Sequence, residues 1–263
     1  MSELYTYAVS RIRSREVSLL TKRDFEMVIS ASSYDEALRL LYDKGFNGDG
    51  NCNNIDILIN AEREKTWNFI SELIEDMSVF NVFSSPDDYH NLKAAIKSEL
   101  TDFHAENIYL SSGTINKDSI ISAVKERDFS NLPDRMAKAA NEAISLLLQT
   151  GDGQLCDIIL DKASLDATIE YGYETKNPML EKYSEIIVAT SNIKTVLRAI
   201  KMNKNEEFLN KALAECKTLS KSKLIETFKT GKDELLKYLL STPYADAVEA
   251  YEKSYSLFEN IVQ

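Results

Sequence analysis

Asp88-Tyr89-His90-Asn91-Leu92-Lys93-Ala94-Ala95-Ile96-Lys97 decides the fold, because a degenerate copy of it returns further along the chain. The copy is Thr190-Ser191-Asn192-Ile193-Lys194-Thr195-Val196-Leu197-Arg198, in which Asn192 matches Asn91 and Lys194 matches Lys93. Both stretches have helical periodicity. Tyr89, Leu92, Ile96, Leu100 and Phe103 fall on one apolar face of the first, and Ile186, Ala189, Ile193, Leu197 and Ile200 on one face of the second. Ser85-Pro86-Asp87 has the pattern of a helix start, with a capping residue, proline at the first helical position and acid in the first turn. Asp87 and Asp88 are then expected to offset the helix dipole.

A second element repeats between these helices. Leu20-Thr21-Lys22-Arg23-Asp24-Phe25, Ile115-Asn116-Lys117-Asp118-Ser119-Ile120 and Leu219-Ser220-Lys221-Ser222-Lys223-Leu224 share an order: apolar, small polar cap, lysine, two polar residues, apolar. This is a helix start whose flanking apolar residues form a hydrophobic staple. Long-range self-similarity of this kind indicates one helical unit used several times. The spacing between the two elements predicts a third Asn-x-Lys helix near positions 290 to 296, past Gln263, so the chain reads as a shortened three-unit protein. The expected division is 1–112, 113–216 and 217–263, the last unit being incomplete.

Other local signals agree with an all-α fold. The 8 Gly and 4 Pro in 263 residues are too few for the tight turns of an all-β chain. A first helix is expected over Ser2 to Leu20, a capped one after Thr21 with Asp24 closing the box, and another after Ser33 ending at Gly45. Gly45 to Asn54, with three Gly and four Asn, is the clearest loop. A long helix or helix pair is expected over Ile55 to Phe80, and one over Asp134 to Gln149 broken by Gly151-Asp152-Gly153.

Charge limits the function. A net charge of −11 disfavours nucleic-acid binding, which needs a basic surface. Residues 1–46 carry seven basic and seven acidic residues, so the whole excess lies in 47–263. Arg11, Arg13 and Arg15 form a local basic cluster in the neutral part, which suits either an acidic partner or a solvated helix face. Cys52, Cys156 and Cys216, odd in number and far apart, suit reduced thiols in the cytoplasm. No apolar run reaches membrane-spanning length.

Little in the chain nominates chemistry. The two histidines, His90 and His104, lie about four turns apart on one helix and lack metal-ligand spacing. Gly48-Asp49-Gly50 and Gly151-Asp152-Gly153 lack the features of a phosphate loop. Cys156 sits in an apolar run and reads as a buried thiol. No catalytic residue, cofactor site or metal site is assigned. Asn91 and Lys93 project about 200° apart on a helix, so they do not form one binding tooth. Asn91 is expected at the rim of the apolar stripe, bonded to a neighbouring helix, and Lys93 is expected to snorkel or pair with an acid.

Tyr7 to Phe46, with Arg11-Ile12-Arg13 and the Tyr34-Asp35-Glu36-Ala37-Leu38 helix, resembles the N-terminus of the C-type subunit of V/A-type ATP synthase. Asp88-Tyr89-His90-Asn91-Leu92-Lys93 resembles that family's internal motif; its eukaryotic counterpart is the d-type subunit of the V-ATPase. The resemblance covers essentially the whole chain. It implies three helical bundles arranged as a funnel, no catalytic residues, and a socket between the membrane proteolipid ring and the central axle of a rotary motor. It also implies a peripheral, cytoplasmic position on the membrane, reached through the complex. The family's closing Glu-Ile-(Lys/Arg)-x-Ile-Arg motif is absent here. Asp88, Asn91, Lys93, Asn192 and Lys194 are then repeat-building residues, and Arg11, Arg13 and Arg15 are partner-facing. A helical-repeat adaptor outside any rotary ATPase is the alternative.

Overall fold

The computed structural model describes residues 5–46, 54–101 and 108–253. Among these it holds thirteen α-helices, one 3₁₀ turn and no strand. The protein is all-helical, as composition and periodicity require. The chain divides into two compact units, one formed by 1–78 with 110–112 and the other by 79–109 with 113–263.

The smaller unit contains α1 (Thr6–Glu16), α2 (Lys22–Ile29), α3 (Tyr34–Asp43) and α4 (Ile55–Ser71). Thr21 caps α2 with a full capping box: its hydroxyl accepts from the Asp24 amide, and the Asp24 carboxylate accepts from the Thr21 amide and hydroxyl, both at 2.7 Å. Ser33 caps α3, and Gly45 leaves it in the left-handed region at φ 91°, a conformation that costs glycine little. Asp24 also receives Lys44 Nζ at 2.6 Å, and these bonds hold its carboxyl well below the usual carboxylate range. The expected first helix ends early, at Glu16, because Ser18 and Leu19 turn back onto the carbonyls of Arg15 and Glu16. The helix expected to Phe80 stops at Ser71 and resumes as a 3₁₀ turn at Met77–Phe80. Most of the Gly45 to Asn54 loop, with Cys52, lies outside the described residues, as do Phe103 and His104.

The larger unit begins with α5 (Asn81–Leu100), and here the helix start read at Ser85-Pro86-Asp87 is corrected. The helix begins five residues earlier because Val82 is buried and the Phe83 ring packs on Tyr183, with centroids 4.8 Å apart. These apolar anchors outweigh the backbone bond that Pro86 removes in the second turn. Asp87 and Asp88 are therefore buried helix-interior residues and do not serve the helix dipole.

α6 (Lys117–Glu126), α7 (Asp134–Thr150) and α8 (Gly153–Glu174) follow. Gly151 ends α7 at φ 67°, and the Asp152 side chain caps α8 through the amides of Gln154 and Leu155. One core joins Tyr89, Leu92 and Ile96 of α5 with Ile120 and Val124 of α6, Ala140 and Ile144 of α7, and Cys156 and Leu160 of α8. Next come α9 (Pro178–Lys201), α10 (Glu206–Ala212), α11 (Lys221–Thr230), α12 (Lys232–Leu240) and α13 (Ala245–Lys253). Ala189, Ile193 and Leu197 of α9 lie in a second core with Leu209, Leu224, Leu235 and Val248. Ile186, expected on the same apolar face, is instead solvent-exposed.

α8 and α9 meet closely at Gly172. A Cβ built there would lie 2.3 Å from Ser184 Oγ and 2.6 Å from its Cβ. Only glycine allows this approach.

Candidate functional site

The buried polar groups of the larger unit build two loop clamps of similar design. In the first, the Asp88 carboxylate accepts from the Thr114 amide at 3.1 Å, the Thr114 hydroxyl at 2.6 Å and the Ile115 amide at 3.0 Å. Gly113 lies so near that an added Cβ would fall 2.1 Å from Asp88 Oδ1. The clamped loop leads into Asn116, whose side chain caps α6. Burial pushes the Asp88 pKa above its ordinary 3.8, more than these bonds offset, and the Asp87 charge adds to the rise.

In the second, Glu185 of α9 accepts from the amides of Lys217 and Thr218 at 3.1 and 2.9 Å, the Thr218 hydroxyl at 2.9 Å and the Tyr173 hydroxyl at 2.9 Å. This loop leads into Ser220, which caps α11. Burial works to raise the Glu185 pKa, but the four bonds outweigh it and hold the carboxyl below its ordinary 4.5. Tyr244 shares a hydrogen bond with the Thr218 hydroxyl at 2.6 Å.

Asn192 lies on the same helix and is buried. Its amide donates to the Ala214 carbonyl at 2.8 Å and its carbonyl accepts from the Ala214 amide at 3.1 Å. The partner of Asn192 is thus a loop backbone. Asn91 is wholly buried instead of lying at a rim. Lys93 pairs with Asp161 at 2.6 Å, and one turn later Lys97 pairs with Asp157 at 2.8 Å, so two ion pairs tie α5 to α8. Asn91 and Lys93 are not brought together in one site. His90 Nε2 lies 2.9 Å from the Ile108 carbonyl. The Cys156 thiol is buried and its pKa is pushed up to about 11 by burial and by the nearby Asp157 charge.

The arginine cluster of α1 divides by helix geometry. Arg11 and Arg15, four residues apart, place their guanidinium carbons 5.5 and 4.9 Å from the Phe69 ring centroid. Arg11 also donates to the Tyr7 hydroxyl at 2.7 Å. Arg13 instead pairs with Glu16 at 2.7 Å. All three are exposed.

A cavity of about 330 Å³ lies among α7, α8 and α10, lined in part by Arg135, Lys138, Glu142, Lys162, Asp166 and Lys211. Its charges are largely offset: Lys162 pairs with Asp166 at 2.6 Å, Arg135 with Glu170 and Lys211 with Glu207. Among the described residues no group of three or more His, Cys, Asp or Glu side chains is placed to hold a metal ion, and no helix is long and apolar enough to cross a membrane.

Sequence reasoning missed Glu185, Gly113 and Gly172. One signal for the clamps was present: Thr114 and Thr218 each stand two residues before a helix cap in matching copies of the capped element.

This all-helical chain, with its polar interior committed to holding helices and loops, matches the model of the ATP synthase (C/AC39) subunit over residues 8–262. It is also 22% identical over 241 residues to the C-type subunit of the V-type sodium ATPase of Enterococcus hirae, covering 90% of this chain and 74% of that protein. The chain belongs to the ATP synthase (C/AC39) subunit family, whose members are accessory, stalk-class subunits of V/A-type ATPases.

Proposed function

We propose that the chain is a non-catalytic rotor subunit that couples the membrane proteolipid ring to the central axle of a V/A-type ATPase. In that role it passes torque between ion flow and ATP synthesis or hydrolysis carried out elsewhere. The observation that carries the reading is the family match across nearly the whole chain. The polar interior supports it, since Asp88, Glu185 and Asn192 are engaged by amides, carbonyls and hydroxyls of the loops that join helices.

The proposed division is three helical units, 1–112, 113–216 and a partial 217–263, around a funnel. The recurrence of the loop clamp before α6 and α11 supports a repeat. Arg11, Arg13 and Arg15 are proposed to face a partner protein of the complex, with the chain held peripherally on the cytoplasmic side of the membrane through that complex.

Co-purification tests this reading. A tagged chain drawn from detergent-solubilised membranes is expected to bring the proteolipid and axle subunits in fixed ratio, and its deletion to uncouple membrane-bound ATP turnover from ion movement. A chain that purifies without them, with coupling intact after deletion, is an adaptor outside the motor.

A further inference from the structure

The two units of the chain are held by different forces. Both hydrophobic cores lie in the larger unit, and among the described residues neither takes a side chain from α1, α2, α3 or α4. Among the described residues of the smaller unit, the buried apolar side chains are Ala8, Leu38, Leu41 and Leu58. Apolar burial is the dominant favourable contribution to folding, so these few residues hold four helices weakly. α2 is the extreme case: its one buried residue is a carboxylate, Asp24, while Phe25 and Ile29 on the same helix stand exposed.

Polar contacts tie the four helices together. Asp24 at the start of α2 receives Lys44 Nζ, just past the end of α3, at 2.6 Å. The Tyr34 hydroxyl of α3 accepts from the Ile55 amide at the start of α4 at 3.0 Å. Arg11 and Arg15 of α1 lie over the Phe69 ring of α4. The ties thus run from α2 to α3, from α3 to α4 and from α4 to α1. In each, a partner is exposed (Lys44, Tyr34 and the two arginines), so water competes for the same groups and the net stabilisation is small.

We propose that α1–α4 form a separately opening module, which unfolds as a whole while the larger unit stays folded. Proteins open in contiguous cooperative pieces, and the piece with the least buried apolar surface opens at the lowest cost. The result is a conformational step built into the fold: Arg11, Arg13 and Arg15 are held or released together, and the two cores are undisturbed. The proposal stands on burial and on the three ties, not on the rotor reading.

Two optical probes of the purified full chain test it. Trp67 of α4 is the one tryptophan, so its fluorescence reports the smaller unit, whereas far-ultraviolet circular dichroism reports all the helices. In urea, which leaves ion pairs unscreened, the Trp67 transition is expected to finish while most of the dichroism remains, and a second step in dichroism then follows. Coincident transitions overturn the proposal. Asp24→Ala on α2 is expected to move the Trp67 midpoint to lower urea, or to an unfolded baseline without urea, and to leave the later step in place. Asn192→Ala in the larger unit is expected to do the reverse. A Trp67 transition unmoved by Asp24→Ala means that α2 and α4 do not open together, and a shift of both steps by either variant means one cooperative unit; each result overturns the proposal.

Discussion

Glu185 performs the task of Asp88 from one helical turn further back. In the register that aligns Asn91 with Asn192, Asp88 corresponds to Ala189, and the carboxylate has moved four residues towards the start of α9 with a longer side chain. Both carboxylates accept from a threonine amide, the same threonine's hydroxyl and an adjacent amide. Threonine and loop persist; the acid's position drifts.

The two acids are expected to give pH dependences of opposite sign. Asp88 has a raised pKa, so its folded form retains a proton that the unfolded chain releases above about 3.8, and its contribution falls as pH rises through the folded value. Glu185 has a lowered pKa, so its contribution is full above about 4.5 and is lost as pH falls through the folded value. Stability measured by denaturant from pH 3 to 7 (roughly the span of both windows) should therefore show wild type losing ground to D88N with rising pH and gaining on E185Q. Parallel slopes for the two variants would contradict the assignment.

Asn192→Ala should be among the most damaging single changes. It leaves the amide and carbonyl of Ala214 without their partner in a fully buried position, at about 1–3 kcal/mol for each orphaned group. Asn192→Asp keeps the acceptor but loses the donor, so it should not restore stability. Circular dichroism melts of the three proteins give the comparison.

Gly172→Ala should destabilise by about 1–3 kcal/mol, the usual range for overpacking. The added methyl meets Ser184, so Gly172→Ala combined with Ser184→Gly should recover part of the loss. A double variant no better than G172A would place the strain elsewhere, at the Leu180 carbonyl 3.1 Å from the same point.

The arginines of α1 should separate by function. Arg11→Ala and Arg15→Ala each remove a cation from the Phe69 ring and should cost about 0.5–1 kcal/mol. Arg13→Ala breaks an exposed pair with Glu16 and should cost about 0–0.5 kcal/mol, less in high salt. Trp67, the one tryptophan of the chain and a residue of α4, supplies a fluorescence signal for denaturation of this unit.

Local chemistry was the legible part of the sequence. Thr21, Ser33, Asn116 and Ser220 all cap helices, because a small polar side chain before an amphipathic run has few better uses. The Ser85-Pro86-Asp87 reading failed where tertiary burial overrode a local rule: Val82 and Phe83 gain more by extending the helix than Pro86 costs. Asp88 stood inside the quoted motif and Glu185 did not. A carboxylate that grips backbone amides places no demand on its partners' side chains, so long-range pairing leaves little trace in one sequence. Gly172 was illegible for a similar reason, since its requirement arises only from the closeness of another helix.

The near-contact at Gly172 sets how closely two helices approach. There a backbone rests against a facing side chain with no room for a methyl group, so the spacing of the two helices is set at this point by the absence of a side chain. α8 belongs to one core and α9 to the next, so this close approach is a place where the two cores are joined backbone to side chain.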